Sequence, residues 1–262
     1  MDDCGIAENA DLSSSTNIRI GVLGGIGPEA TVEFYGKLIK RLQEKNLIRN
    51  NCDFPQIIIN SIPAPELIHD TISEADLKPY INGIRLLDKT GVDFIVMVCN
   101  TIHLYYERLQ GQIKTPILDL REEVEKCLAS KGIKSVCIIG TPNTLKNGLY
   151  RFEGIKYLDI SKSEILELSR SIFNFNRGFN MDRQVKTVNE ICKKYVKKKS
   201  NAVILACTEL AIMLSPFGKS AGGKGKNEIS IINTIDVLVE ATIDKFLSLK
   251  YAGRQKSNQI GD

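Results

Sequence analysis

Residues 20–31 have the sequence IGVLGGIGPEAT, which is typical of a buried strand that ends in glycine and leads directly into a helix. Pro28 lies where the first helical turn would begin, a position that proline tolerates because no N–H donor is needed there. Along the chain, short β-branched runs alternate with longer amphipathic stretches up to about residue 249. This spacing predicts parallel βαβ units and an α/β fold. Because the strand candidates are nearly continuous apolar runs, we expect helices on both faces of each sheet.

The same strand–glycine–helix pattern occurs a second time, as VCIIGTPNTL at residues 136–145. Each copy precedes an apolar strand candidate that ends in cysteine, DFIVMVCNTIH at residues 93–103 and NAVILACTEL at residues 201–210. This coarse repeat predicts two pseudo-symmetric lobes, each a parallel sheet flanked by helices. Ligands of parallel sheets bind beyond the carboxyl ends of the strands. All four motifs would therefore surround one active-site cleft between the lobes.

The repeat and the polar ends of the chain also predict how the lobes divide the sequence. We expect a first α/β lobe made of residues 18–116 and 231–250, and a second α/β lobe made of residues 117–230. Residues 1–17 and 251–262 are polar and without periodicity, so we expect two flexible tails. A Gly/Lys-rich segment at residues 218–227 predicts an exposed loop.

The composition excludes several classes of protein. Of 262 residues, 43% are hydrophobic and 25% are charged, as in an ordinary soluble globular protein. No apolar run approaches the roughly 20 residues that span a bilayer, and the first residues do not resemble a secretory signal. We therefore expect a cytoplasmic protein with no membrane partner. The net charge of +4 gives no reason to expect a nucleic-acid partner, and the lysines at residues 193–199 are typical of a solvated helix end.

Two of the seven cysteines differ from the others. Cys99 and Cys207 each follow five apolar residues and stand just before a predicted helix start. A helix N-terminus lowers the pKa of a thiol and so favours the reactive thiolate. No two cysteines have CxxC spacing, and there are only two histidines, so no metal site is expected. We interpret the remaining thiols as inert: Cys4, Cys52, Cys127, Cys137 and Cys192.

Two thiols that face each other without forming a disulfide suit proton transfer at opposite faces of one carbon. Racemisation needs a base on one face and an acid on the other, and a thiolate and a thiol form such a pair. The carbanion must be stabilised by hydrogen-bond donors aimed at its carboxylate. Asn100, Thr101 and Thr208 lie beside the thiols in sequence, and two strand-to-helix turns offer backbone N–H groups.

Taken together and in order, the motifs GVLGGIGPEAT, MVCNTIH, IIGTPNTL and ACTEL resemble the cofactor-independent aspartate/glutamate racemase family over about residues 18–249. The resemblance implies an amino-acid racemase, usually a homodimer, that uses no pyridoxal phosphate or other cofactor. It implies that Cys99 and Cys207 are the acid/base pair and that the substrate is a small-molecule amino acid. The implied substrate-binding residues are Asn100, Thr101, Ile102 and Thr208 at the carboxylate, with Ile26 and Gly27 nearby.

Three positions depart from the aspartate-specific members of that family. Their Arg in the loop after the second strand, which meets the distal carboxylate, corresponds here to Leu67. A Lys expected before Met181 corresponds to Arg177, and the Asp of the last strand-to-helix turn corresponds to Asn233. Because an Arg–carboxylate pair supplies both energy and geometry, losing it favours a broader or different amino-acid substrate. Arg177 remains a candidate partner for a distal carboxylate, with an ordinary surface Arg as the alternative.

Two more residues could tune the thiols. His103 follows Cys99 by four residues, which places it on the same face of a helix, and a structural hydrogen-bonding His is the alternative. Glu209 is next to Thr208, and it could adjust Cys207 or simply suit the positive end of a helix.

Three other functions are compatible with parts of the sequence. Residues 25–30 fit the G-x-G-x-x-A pattern of an NAD(P)-binding oxidoreductase, but Asn60 stands where an acidic residue should end the second strand, and Pro28 lies within the motif. An isomerase or decarboxylase of a small diacid would use the same two-cysteine architecture. A non-enzymatic amino-acid-binding protein would share the shape.

Overall fold

The computed structural model describes residues 18–67, 72–196, 201–218 and 230–258. It contains two parallel sheets flanked by helices, which confirms the predicted α/β fold. The predicted tail at residues 1–17 and nearly all of the predicted loop at residues 218–227 lie outside the described residues. Within the described ranges, no helix combines the length and the apolar character needed to cross a membrane.

The first sheet has three parallel strands in the order β2-β1-β3, so that the first strand occupies the centre. These strands are β1 (Arg19–Gly24), β2 (Gln56–Ser61) and β3 (Phe94–Met97). The helices of this part of the chain are α1 (Pro28–Glu44), α2 (Glu74–Lys89) and, after a 3-10 turn at Thr101–Tyr105, α3 (Tyr106–Gln110). The sheet core is apolar on both faces, because α1 covers one face and α2 the other.

The second sheet has four parallel strands in the order β5-β4-β6-β7. These are β4 (Ser135–Gly140), β5 (Lys156–Leu158), β6 (Ala202–Ala206) and β7 (Ser230–Asn233). The helices are α4 (Leu120–Ser130), α5 (Pro142–Lys146), α6 (Lys162–Asn176), α7 (Met181–Val196), α8 (Thr208–Gly218) and α9 (Thr234–Asn258). As predicted, Lys193 and Lys194 lie in the last turn of α7, and residues 197–199 lie outside the described chain.

The two sheets repeat the same arrangement, as the sequence predicted. In each, the strand that begins the unit is central, and the strand that ends in cysteine lies beside it. Ile117 forms an isolated bridge with Ile95 of β3, just as β7 lies alongside β6. Two expected boundaries are displaced by these pairings. Ile117, assigned to the second lobe, pairs with the first sheet, and residues 231–233, assigned to the first lobe, form part of the second sheet.

Two local predictions are wrong for identifiable reasons. The sequence pattern predicts a helix at residues 145–152, but the structure ends α5 at Lys146, because Pro142 and the Thr141 cap start the helix early and Gly148 then takes a positive φ of 63°. The tail predicted at residues 251–262 is helical as far as Asn258. Ala, Arg, Gln and Lys have high intrinsic helix propensity, which favours continuation of the helix into this segment.

The last helix, α9, connects the second sheet to the first part of the chain. Its apolar face packs against α1 within one continuous core. At the surface, Lys37 pairs with Asp236 at 2.6 Å and Arg41 pairs with Glu240 at 2.7 Å. These half-exposed pairs contribute little energy individually, so the buried apolar contact holds the two sheets in their relative position.

Candidate active site

A cavity of about 210 Å³ lies where the carboxyl ends of β1, β3 and β6 meet. Both Cys99 and Cys207 line it, although they come from different sheets. Cys99 follows β3 and Cys207 follows β6, and both are buried, free thiols. The cavity is smaller than the roughly 300–1,000 Å³ of drug-sized ligand sites, which suits a small molecule and not a dinucleotide such as NAD(P).

Burial controls the acidity of Cys99. It raises the pKa of the thiol to about 12, and the nearby charge of Glu209 adds to that rise. Backbone N–H groups of Ile102 and Thr101 lower the pKa but do not offset the burial. The prediction of a lowered thiol pKa is therefore wrong, because both thiols are more deeply buried than their position at a helix start suggested. Ile102 is itself buried and lies outside the cavity lining.

Cys207 forms a hydrogen bond with a buried carboxylate. Its Sγ donates a hydrogen bond to Glu209 Oε2 at 2.8 Å, and the Thr208 hydroxyl donates to the same oxygen at 3.0 Å. Burial raises the pKa of Cys207 well above its usual value, and the charge and hydrogen bond of Glu209 raise it further. Glu209 is itself buried. Of the two interpretations of Glu209, the geometry therefore favours a direct interaction with the thiol.

The glycine turn of the first lobe closes against Glu209. Ile26 and Gly27 both line the cavity. Gly27 has a positive φ of 80°, and a Cβ atom built there would collide with Glu209 Oε1. Only glycine suits both the backbone conformation and the contact, so the turn that opens the first lobe approaches the carboxylate beside Cys207 as closely as its backbone allows.

Asn100 and Thr101 are held by a buried polar network that the sequence did not reveal. The Tyr150 hydroxyl donates to Asn100 Oδ1 at 2.5 Å, and Thr101 Oγ1 lies 2.9 Å from Thr144 Oγ1 and 3.3 Å from Thr141 Oγ1. Asn100 lines the cavity, and its buried Nδ2 has no hydrogen-bond partner in the described part of the chain. This amide is therefore a donor available to a ligand. The two threonine partners belong to the quoted IIGTPNTL motif.

Three sequence-predicted residues stand apart from the cavity. Arg177 is exposed at the end of α6, with its guanidinium 5.2 Å above the Phe173 ring, and does not line the cavity. His103 is fully buried, with Nδ1 3.7 Å from Asp119 Oδ1, and is also absent from the lining. Asn233 caps α9 by accepting a hydrogen bond from the Ile235 N–H at 2.9 Å.

Other lining residues were not predicted. Leu67 lines the cavity, as its place in the loop after the second strand predicts. Glu66 and, from α6, Asn176 also line it, and the sequence did not predict either. Among the described residues, no Lys or Arg lines the cavity, whereas Glu66 and Glu209 supply two carboxylates. The described ranges also contain no cluster of three or more His, Cys, Asp or Glu side chains placed to hold a metal ion.

The fold and the site define a class of protein: an α/β enzyme with two similar parallel sheets and one buried strand-end thiol from each at a shared cavity. The sequence model of the Asp/Glu/Hydantoin racemase family matches residues 23–242. The chain belongs to this family and is accordingly an isomerase.

One curated relative and two solved structures are similar to this chain. The broad specificity amino-acid racemase RacX of Bacillus subtilis (strain 168) is 28% identical over 232 residues, covering 87% of this chain and 98% of the relative. An aspartate racemase from Picrophilus torridus has a similar structure, with a TM-score of 0.70 at 23% identity over 87% of this chain and 94% of that one. An aspartate racemase homologue from Pyrococcus horikoshii OT3 gives a TM-score of 0.66 at 24% identity, covering 89% and 99%. The two structures establish the fold.

Proposed function

We propose that this racemase interconverts the enantiomers of free amino acids without a cofactor, using Cys99 and Cys207 as its acid and base. The observation that carries the proposal is the pair of thiols at corresponding strand ends of two similar sheets, both lining one small cavity. The 28% identical relative RacX, a broad specificity amino-acid racemase, supports an amino-acid substrate.

Glu209 completes the proton balance of the proposed mechanism. The Cys207 thiol passes its proton along the hydrogen bond to Glu209 and, as thiolate, removes the α-proton of one enantiomer. The Cys99 thiol then delivers its proton to the opposite face of the carbanion. The resulting state has a thiolate at Cys99, a thiol at Cys207 and a protonated Glu209, which is the starting state for the reverse direction. Because burial raises the pKa of both thiols, the thiolate that forms is a strong base.

The donors for the substrate carboxylate come mainly from the first lobe. Asn100 Nδ2 lacks a partner among the described residues, and the Thr101 hydroxyl is oriented by two further threonines. Donors at the carboxylate stabilise the charge that develops on the carbanion. A diacid substrate is less compatible with this cavity, because Glu66 and Glu209 already contribute two carboxylates.

We also propose a cytoplasmic homodimer, for which light scattering of the purified protein would measure the mass.

Solvent exchange tests the proposed function directly. In D₂O, each enantiomer of a substrate should lose its α-proton signal by NMR while its mirror image appears with deuterium at that carbon. Cys99→Ser and Cys207→Ser should each lower racemisation by at least about 100-fold, because an alcohol is a much poorer base than a thiolate. Cys127→Ser, at a half-buried thiol on α4, is the matched control and should retain activity. Full activity in either catalytic-site variant would refute the two-thiol mechanism.

A further inference from the structure

We infer that Glu66 makes this site selective for amino acids whose side chain ends in a cation. The inference rests on the proposed racemase function and adds the substrate class to it. Glu66 lines the same cavity as the two thiols and is half-buried. A carboxylate in such a position attracts an ammonium or guanidinium group and repels a distal carboxylate.

The backbone on both sides of Glu66 is fixed. The Tyr80 hydroxyl donates a hydrogen bond to the carbonyl of Pro65, which precedes Glu66. Asn143 Nδ2, from the second lobe, donates to the carbonyl of Leu67, which follows it, at 3.3 Å. Tyr80, Asn143 and Leu67 are all buried. The loop backbone is therefore anchored on both sides of Glu66, which places this residue at a defined position beside the cavity.

The negative charge of Glu66 is not neutralised by a cationic side chain in the part of the protein that the structure describes. Glu66 forms no ion pair with any described residue, and among those residues no Lys or Arg lines the cavity. The other lining carboxylate, Glu209, is already engaged by the Cys207 thiol and the Thr208 hydroxyl. Asn176 adds a second open acceptor, since its buried Oδ1 has no partner in the described chain. The distal part of the cavity thus offers acceptors and negative charge.

A different role for Glu66 would be to hold the α-ammonium group, which every amino acid carries. The two roles give different results when the carboxylate is removed. A residue that binds the α-ammonium affects all substrates equally, whereas a residue that binds the side-chain cation affects only the substrates that have one. Lysine and norleucine separate them, because norleucine keeps the aliphatic chain of lysine without its terminal ammonium.

The experiment compares kcat/KM for α-proton exchange of L-lysine, L-norleucine and L-glutamate in D₂O. The parent enzyme should prefer lysine to norleucine by about 10-fold or more, with glutamate the poorest substrate. Glu66→Gln should lower kcat/KM for lysine by about 10-fold or more and change norleucine by less than about threefold. Glu167→Gln, which removes an equal charge from the exposed face of α6, should leave all three values unchanged.

Each contrary outcome has its own meaning. Exchange that is equally fast or faster for norleucine than for lysine in the parent would overturn the inference but leave the racemase function intact. An equal loss for lysine and norleucine in Glu66→Gln would also overturn it and assign Glu66 to the α-ammonium. Absence of exchange with every amino acid in the folded parent would refute the proposed function, and the inference with it.

Discussion

Cys207 Sγ donates a hydrogen bond to Glu209 Oε2 at 2.8 Å, and the other carboxylate oxygen of Glu209 faces Gly27 of the opposite lobe. The carboxylate beside Cys207 is therefore enclosed on two sides by groups from both lobes. In this arrangement the thiol carries the proton and the carboxylate accepts the hydrogen bond. The same contact explains why the pKa of Cys207 is raised beyond the effect of burial.

Glu209→Gln should reduce activity at pH 7 by about 100-fold or more, because it removes the group that accepts the proton of Cys207. The wild-type site takes its negative charge from the Glu209 carboxylate, but the variant must take it from a buried thiol. Burial raises the pKa of both thiols, so the rising limb of log kcat/KM should move to higher pH. Glu209→Asp keeps the negative charge, so the rising limb of its pH profile should stay at the wild-type pH while the rate is reduced. An unchanged pH profile in Glu209→Gln would exclude the carboxylate from the proton path.

Tyr150→Phe should raise KM by about five- to tenfold. The change leaves Asn100 Oδ1 without its 2.5 Å donor, so the amide that presents Nδ2 to the cavity is no longer held in one orientation. A buried acceptor without a partner also costs about 1–3 kcal/mol of unfolding free energy. Tyr157→Phe is the matched control, because within the described residues that hydroxyl forms hydrogen bonds only with the backbone of residues 150 and 152. It should lower stability and leave KM unchanged. Equal KM values in both variants would contradict the assigned role of Asn100.

The sequence pattern was sufficient to predict the features that depend on the order of neighbouring residues along the chain. Five apolar residues before Cys99 and before Cys207 define two buried strands, and the residue that follows a strand in a parallel sheet must lie at its carboxyl end. Because both strands occupy the same position in equivalent sheets, the repeat alone predicted that the thiols would share one cleft. The glycine turn followed in the same way.

The residues that were missed or misplaced depend on contacts distant in sequence. Tyr150 reaches Asn100 across 50 positions and has no motif of its own. Asn176 is the last residue of α6 and Arg177 follows the helix, and the amide lines the cavity whereas the guanidinium lies above the Phe173 ring. The raised thiol pKa values also depend on tertiary burial, which a helix start does not reveal.

Cys192→Ala should make the unfolding free energy less sensitive to alkaline pH. Burial raises the pKa of Cys192 to about 12, whereas a thiol in the unfolded chain ionises near 8.5. Between these values the native state binds more protons than the unfolded state, so stability is lost as the pH rises. Removing this thiol should flatten the slope between about pH 9 and 11 by up to about 1.4 kcal/mol per pH unit. Urea unfolding under reducing conditions at several pH values measures this slope. Parallel slopes in parent and variant would contradict the assignment, and unchanged activity at pH 7 shows that the variant is folded.

Leu67→Arg should shift the substrate preference toward aspartate. Leu67 is buried and lines the cavity, so an Arg there can reach a distal carboxylate. A charge-assisted hydrogen bond contributes about 1.5–3 kcal/mol, which corresponds to about a 10- to 150-fold change in relative kcat/KM. Glu66 stands next to the new guanidinium, however, and competes with the substrate for it.

The full shift therefore requires the double variant. In Leu67→Arg alone, the preference for aspartate over norleucine should increase only a few-fold, because Glu66 neutralises the added charge. When Glu66→Gln is combined with it, the increase should reach the range given above and exceed the product of the two single changes. The measurement is kcat/KM for both substrates in the parent, both single variants and the double variant, with thermal unfolding to show that the buried Arg is tolerated. If the folded double variant is no better with aspartate than the parent, Leu67 does not face the distal end of the substrate.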